Sequence, residues 1–445
     1  MNQPIVSGSG IRGVFGVSLT PDTALNFAAA FGEMVGPGHV AVGRDTRRSG
    51  PAVESAVLAG LASVGCTPVV LGVVPTPTVQ MEAMREGFAG GVSVTASHNP
   101  GEWNALKLIG PDGAFLRSKS RERLMRLLAS ERSWTDYRGA RAPVEVDDAV
   151  ERHVEAIVSL PGVRKSGRSL RVVLDTTGGA AGVMAPSLLD ELHVDWTLIN
   201  DEMTPDGDFP RTAEPTTESL GDLSRAVLRE GADFGLGFDP DGDRLALVAG
   251  DGSIPGEEFT LALALDFRLA SRPGPVVVNL STSRLSEDAA ARHGCRVYRS
   301  PVGEVNVIEE MEARGSVLGG EGNGGVIDFA CHPGRDAGVA SAYVVSFLRE
   351  NPDLTLAGWV KTFPAYTRTK YKVSLAGPFE RYVPGLEASL GKADDIRDGL
   401  WFHREGGWTH IRPSGTEPVV RFISENLSAD AVSADLDAFR KAVFS

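Results

Sequence analysis

Val40-Ala41-Val42-Gly43-Arg44-Asp45-Thr46-Arg47-Arg48-Ser49 has the form of a short apolar strand that ends in a polar turn. A helical stretch rich in Ala, Leu and Val follows at residues 51–65. The same form returns twice. Val172-Val173-Leu174-Asp175-Thr176-Thr177-Gly178-Gly179 precedes a helical stretch at 180–193. Val276-Val277-Val278-Asn279-Leu280-Ser281-Thr282-Ser283 precedes another at 284–293. Short uninterrupted apolar strands alternating with helices point to parallel sheets with crossover helices. The repeats lie roughly a hundred or more residues apart, the size of a small domain, and predict three related α/β units in tandem. The chain is expected to break at Pro75-Thr76-Pro77.

The tail differs. Strands are expected at residues 369–375, 407–411 and 419–424, with period-2 alternation suited to an antiparallel sheet with one exposed face. A last helix is expected from Ser433 to Val443. The expected domains are 1–147, 148–250, 251–366 and 367–445. The fold class is therefore α/β, with three similar sheet-and-helix units followed by a smaller α+β domain.

The 445 residues exceed what a single core usually serves. A formal net charge of −14, with no long basic run, argues against nucleic acid as a partner. No run of 18 uncharged apolar residues predicts a membrane span, and Met1-Asn2-Gln3-Pro4, without a basic segment leading into an apolar run, raises no expectation of a signal peptide. Three cysteines without a CxxC pair argue against a disulfide framework or a structural zinc site and fit a reducing cytosol. A cytoplasmic monomer or homodimer is expected.

Four motifs carry the chemistry. Thr95-Ala96-Ser97-His98-Asn99-Pro100 presents a hydroxyl at the end of a strand-like run, with Lys107 ten residues on. Ser97 could serve as nucleophile or phosphate carrier. Asp239-Pro240-Asp241-Gly242-Asp243-Arg244 sets three carboxylates at alternate positions, a pattern that can converge on a hard cation such as Mg²⁺. It is no EF-hand, since Arg244 stands where glycine is required and Gly250 where glutamate is required. Gly319-Gly320-Glu321-Gly322-Asn323-Gly324-Gly325 contains GxGxxG, but a strand follows it instead of a helix, against dinucleotide binding. Its carboxylate and amide suit sugar hydroxyls. Arg412-Pro413-Ser414-Gly415-Thr416-Glu417-Pro418, with Arg421 beyond, combines hydroxyls, backbone N–H groups and guanidinium into a phosphate cradle. Arg12 in Gly10-Ile11-Arg12-Gly13, together with Arg44 and Arg244, adds local positive charge. A GxSxG elbow, a P-loop and an HExxH motif are all absent from the sequence.

In this order the motifs resemble the α-D-phosphohexomutase superfamily over essentially the whole chain, which implies four domains around a central cleft, the last of them a phosphate-binding fold. The resemblance implies that Ser97 is phosphorylated and passes its phosphate to a hexose monophosphate. A hexose 1,6-bisphosphate forms, reorients and returns its other phosphate to Ser97. It further implies that Asp239, Asp241 and Asp243 hold Mg²⁺ with Ser97 as an additional ligand. Lys107, Arg12 and His98 would surround the transferred group, and Arg44 and Arg244 would contact substrate. Glu321 and Asn323 would read the sugar. Arg412, Ser414, Gly415, Thr416 and Arg421 would clamp the second phosphate. The implied substrate is a small phosphosugar, most closely glucosamine phosphate, with mannose or glucose phosphate as alternatives. A non-catalytic sugar-phosphate sensor and a kinase or phosphatase are the remaining readings. The chain departs from the family pattern at Asn104-Ala105-Leu106-Lys107, at Asn323 and Gly325 (commonly serine and histidine), and at Pro301-Val302-Gly303-Glu304 (commonly a lysine and a histidine).

Overall fold

The computed structural model describes residues 3–8, 10–414 and 419–444, arranged on four sheets in chain order. In the first, the quoted strand His39–Arg44 pairs in parallel with Thr67–Val73 on one side and Phe88–Val94 on the other. Phe88–Val94 then turns back, antiparallel, into Trp103–Ile109. In chain order these four are strands one to four of a unit, and their spatial order is two-one-three-four. Gly10–Val14 and Ile5–Ser7 extend the sheet beyond the fourth strand, and Val144–Glu145 closes the other edge.

The second sheet repeats this order with Arg171–Asp175, Asp195–Ile199, Phe234–Phe238 and the antiparallel Leu245–Ala249. The third does so with Val276–Asn279, Val297–Ser300, Leu318–Glu321 and Gly325–Asp328. Each quoted apolar run is thus the first strand of its unit. The helix after it is Gly50–Ala62, Ala181–Glu191 or Leu285–Arg292. A second helix crosses from strand two to strand three, as a parallel pair requires.

This topology places the motifs. The hairpin between strands three and four holds residues 95–102 in the first unit, 239–244 in the second and 322–324 in the third. The serine, carboxylate and glycine-rich motifs are therefore the same turn of the same unit, used three times.

Packing holds that turn in place. In Phe234–Phe238 the large side chains Phe234, Leu236 and Phe238 face the main core. Gly235 and Gly237 face the helix Gly221–Glu230 and the residue before it. A Cβ there would lie 2.6–2.9 Å from Leu220, Leu223 or Val227, so the helix can approach only because the side chains are missing. The second and third units share one continuous core, which includes the nearly wholly buried helix Ala337–Glu350. The first and last domains have cores of their own.

Three local expectations are corrected. Residues 76 and 77 begin the helix Thr76–Ala83, because proline in a first turn loses no helical hydrogen bond. The last helix runs Ala429–Phe444, starting earlier than expected; Ser428 Oγ accepts the Ala431 N–H at 3.3 Å in its first turn. The tail sheet has a fourth strand, Leu400–Arg404, at its edge.

Candidate active site

Ser97 lies in the first of the three equivalent turns with φ 50°, a left-handed conformation rare for a residue with a side chain. A buried framework enforces it. Asp45 accepts from Thr95 Oγ1 at 2.7 Å, and Thr95 Oγ1 accepts the Ser97 N–H at 3.0 Å. Arg47 is fully buried. Its Nε donates to Asp45 Oδ2 (2.9 Å), Nη2 to the carbonyls of Ser97 (2.6 Å) and Asn99 (2.8 Å), and Nη1 to those of Pro100 (2.5 Å) and Trp103 (3.1 Å). All five guanidinium N–H groups are thereby used. So aimed, Ser97 Oγ donates to Asp239 Oδ2 at 3.0 Å.

Asp239, Asp241 and Asp243 are buried, and one oxygen from each lies within 4.8 Å of the others. Lys107 Nζ reaches Asp241 Oδ2 at 2.5 Å and Asp243 Oδ2 at 3.3 Å. Burial alone would lower the Lys107 pKa, but the two carboxylates outweigh it and keep the ammonium charged. Burial and the repulsion of Asp243 and Asp241 push Asp239 well above the usual carboxylate range. Asp243 lies below that range: Arg335, Lys107 and Arg244 overcome its burial. Asp241 Oδ1 and Asp243 Oδ1 are buried with no hydrogen-bond partner. Two orphaned anionic oxygens beside a third carboxylate make a donor set that fits a hard divalent cation.

Arg12 donates to Asn99 Oδ1 at 3.3 Å, and burial with neighbouring Arg244 lowers its pKa. Arg244 pairs with Glu214 at 2.8 Å. Arg244, burial and Arg12 hold the His98 imidazole well below its usual pKa, hence neutral. Glu321 Oε1 accepts from Asn279 (2.8 Å) and from the Gly303 N–H (3.0 Å). Asn323 Oδ1 accepts the Gly325 N–H at 3.3 Å.

Sequence reasoning missed Arg335. This buried guanidinium binds Asp243 (2.7 Å), Glu321 (2.7 Å) and Glu304 (2.9 Å), and so ties the carboxylate turn to the glycine-rich turn. The available signal was its place just before Asp336, the N-cap of a helix. Burial lifts Glu304 to about 7 despite that arginine. The folded state therefore holds this proton more tightly than the unfolded chain, where a glutamate titrates near 4.5. The stabilisation is full below that value and fades as pH rises towards 7, by roughly 3 kcal/mol. Glu304→Gln is expected to flatten this part of the stability profile, read as urea midpoints across the window. Equal declines in variant and parent would refute the assignment.

A cavity of about 650 Å³ gathers groups from all four domains, among them His98, Arg244, Asn279, Glu321, Asn323, Lys370, Arg412 and Arg421. Arg412 is steadied by Asp398 at 2.9 Å. Ser414 lines an adjoining cavity of about 310 Å³ together with Arg412 and Arg421. Gly415 and Thr416 lie outside the described residues. Arg44 is not brought to the main cavity: its guanidinium lies on Glu54 at 3.3 Å and donates to the Asp45 carbonyl at 3.2 Å. Arg47, three residues on, holds the serine turn instead.

Known proteins resemble this chain across all four of its domains. The phosphoglucomutase/phosphomannomutase alpha/beta/alpha domains I, II and III match residues 4–134, 151–252 and 255–366, and the C-terminal domain matches 373–442. A Methanopyrus kandleri protein named "Probable phosphoglucosamine mutase" is 36% identical over 97% of this chain and 96% of its own. A phosphoglucomutase/phosphomannomutase of Thermococcus kodakarensis is 34% identical over 95% and 94%. The crystal structure of a phosphoglucomutase/phosphomannomutase family protein from Burkholderia thailandensis superimposes with a TM-score of 0.85 at 27% identity, covering 98% of this chain and 96% of that one. The chain therefore belongs to the phosphoglucomutase/phosphomannomutase family of the α-D-phosphohexomutase superfamily.

Proposed function

We propose that this phosphohexomutase interconverts glucosamine 6-phosphate and glucosamine 1-phosphate, with Ser97 as the phosphoryl carrier. The observation that carries the reading is Ser97 Oγ on Asp239, next to His98 of a cavity that Arg412 and Arg421 also line. The carboxylate turn suits phosphoryl transfer and the two arginines suit holding a second phosphate. A sugar with a phosphate at either end can then lie in both orientations.

Asp239, Asp241 and Asp243 would hold Mg²⁺, joined by the Ser97 phosphate, and the bound ion would neutralise charge on the transferring group. The remaining work is positioning and proton balance. As the sugar hydroxyl attacks phosphorus, the bond from phosphorus to Ser97 Oγ breaks. The hydroxyl loses a proton and Ser97 Oγ gains one. Lys107, held as an ammonium, supplies the proton to Ser97. His98, held neutral, accepts the one from the sugar. The resulting 1,6-bisphosphate turns over, its other phosphate returns to Ser97, and both proton movements reverse. Arg12 and Arg244 steady the transferred phosphate, and Glu321 and Asn323 face the sugar.

The choice of amino sugar rests on the relatives: the Methanopyrus kandleri protein, 36% identical to this chain, is named a probable phosphoglucosamine mutase. The mutase names of the archaeal relatives divide between glucosamine and glucose or mannose, which makes the neutral hexose phosphates the second reading. A panel of 6-phosphates of glucosamine, mannose, glucose and N-acetylglucosamine, primed with a trace of bisphosphate, separates them. Glucosamine phosphate is expected to lead in kcat/KM by about tenfold or more, about 1.4 kcal/mol in transition-state binding. An equal or higher value for mannose or glucose phosphate would overturn the choice of sugar. Absence of turnover on every member, with Ser97 phosphorylated, would overturn the carrier mechanism.

A further inference from the structure

Away from the cleft, a second group of ligating side chains meets where three domains touch. His153 stands on the helix Ala149–Val158 of the second unit. Cys331, His332 and Asp336 lie in the turn that leads from Gly325–Asp328 into the helix Ala337–Glu350 of the third. One ligand atom from each of the four lies within 4.8 Å of the others. The two histidines and Asp336 are buried, and Cys331 is half-buried. Asp336 Oδ2 accepts from His153 Nε2 at 2.8 Å and from His332 Nε2 at 3.1 Å. Its Oδ1 caps the helix by accepting the Gly338 and Val339 N–H groups at 2.8 and 3.2 Å. From the first domain, Thr78 Oγ1 lies 2.8 Å from His153 Nδ1, and Met81 Sδ packs 3.9 Å from Cys331 Sγ.

As a purely hydrogen-bonded cluster this arrangement is incomplete. Asp336 Oδ2 has lone pairs for both imidazoles, but His332 Nδ1 is buried with no hydrogen-bond partner. An unsatisfied buried nitrogen costs about 1–3 kcal/mol. The chemistry of the four side chains offers a better account. Two imidazoles, a thiol and a carboxylate form the nitrogen, sulfur and oxygen set that zinc takes tetrahedrally at about 2.0–2.3 Å. Ligand atoms in such a tetrahedron lie roughly 3.5 Å apart, so the cluster closes on an ion with shifts of about 1 Å. Thr78 supplies the outer hydrogen bond that fixes a ligating imidazole. The sulfur and nitrogen donors disfavour Mg²⁺, which prefers an all-oxygen set such as Asp239, Asp241 and Asp243.

We infer that His153, Cys331, His332 and Asp336 form a second, structural metal site for a zinc-type divalent transition ion. Four protein ligands close the coordination shell, so the site fastens structure and does no hydrolysis. It would clamp the helix of the second unit to the turn that carries Arg335, the residue bound to Asp243, Glu321 and Glu304. A cysteine binds such an ion as the thiolate, so ion uptake releases the thiol proton as the metal–sulfur bond forms.

The test uses the full-length chain, stripped with a chelator and titrated with Co²⁺. About one tightly held equivalent is expected to produce a thiolate-to-cobalt charge-transfer band with tetrahedral d–d absorption. The Asp239, Asp241 and Asp243 carboxylates contain no sulfur and cannot give that band. Zinc added first is expected to block it. Cys331→Ser is expected to abolish it, and a Cys66→Ser, Cys295→Ser double variant to keep it. A titration of the unaltered chain without the sulfur band, or a band that survives Cys331→Ser, overturns the site. The titration of the unaltered chain decides the question even where a variant folds poorly.

Discussion

Ser97→Ala is expected to lower mutase kcat by on the order of 10⁴-fold or more while leaving sugar-phosphate binding nearly unchanged. The hydroxyl is the atom that would bear the transferred phosphate, and alanine removes it without touching the framework around it. The left-handed backbone at residue 97 is imposed by Asp45, Thr95 and Arg47, whose contacts reach only the Ser97 N–H and carbonyl. Alanine tolerates φ 50° about as well as serine does, so the thermal midpoint should hardly move. Arg412 and Arg421 line the cavity and are untouched by the substitution, so affinity for a hexose 6-phosphate should persist by calorimetry. Intact-protein mass spectrometry after incubation with hexose bisphosphate should show one added phosphoryl group on the parent and none on the variant. A variant that turns over at near-parental rate would remove Ser97 from the carrier role.

The parts legible in the sequence are those set by local pattern. Val40–Val42, Val172–Leu174 and Val276–Val278 read as strands because a parallel strand buried on both faces must be apolar throughout. The equivalence of the serine, carboxylate and glycine-rich turns depends on the order of strands in three sheets, and hydrophobic periodicity carries no such information. The arginines show the same limit. Arg44 and Arg47 share one polar turn, and only the packed structure turns Arg44 towards Glu54 and buries Arg47 under the serine turn. Arg335 gave still less to read, since its three carboxylate partners come from distant parts of the chain. The same holds for His153 and Cys331: scattered cysteines argued against a metal cluster in the sequence, yet the meeting of two domains sets one of them beside two histidines. Leu400–Arg404 escaped notice because it is an edge strand, short and only partly buried.

Arg47→Met is expected to destabilise the protein by about 3–5 kcal/mol and to lower kcat/KM by roughly a hundredfold in the fraction that folds. Methionine fills similar space but offers no donor to Asp45 or to the carbonyls of Ser97, Asn99, Pro100 and Trp103. Asp45 would remain fully buried, and burial already pushes its pKa upward with Arg47 in place. Without the guanidinium it must either take a proton or remain a bare buried charge, and both weaken the fold. Lysine does not rescue the position, because one ammonium with three donors cannot span the same acceptors. The kinetic loss follows from geometry. Arg47 also stacks on Phe209 of the second unit at 4.8 Å, so it sets the serine turn against the domain that carries Asp239. A shift of about 1 Å in that relation is enough to cost two orders of magnitude in transfer. Urea unfolding, with steady-state rates and phosphorylation stoichiometry at Ser97, separates the two effects. If Arg47→Met retains parental stability and rate, the buried guanidinium does not position Ser97. If it loses only stability, the turn is held by Thr95 and Asp45 alone.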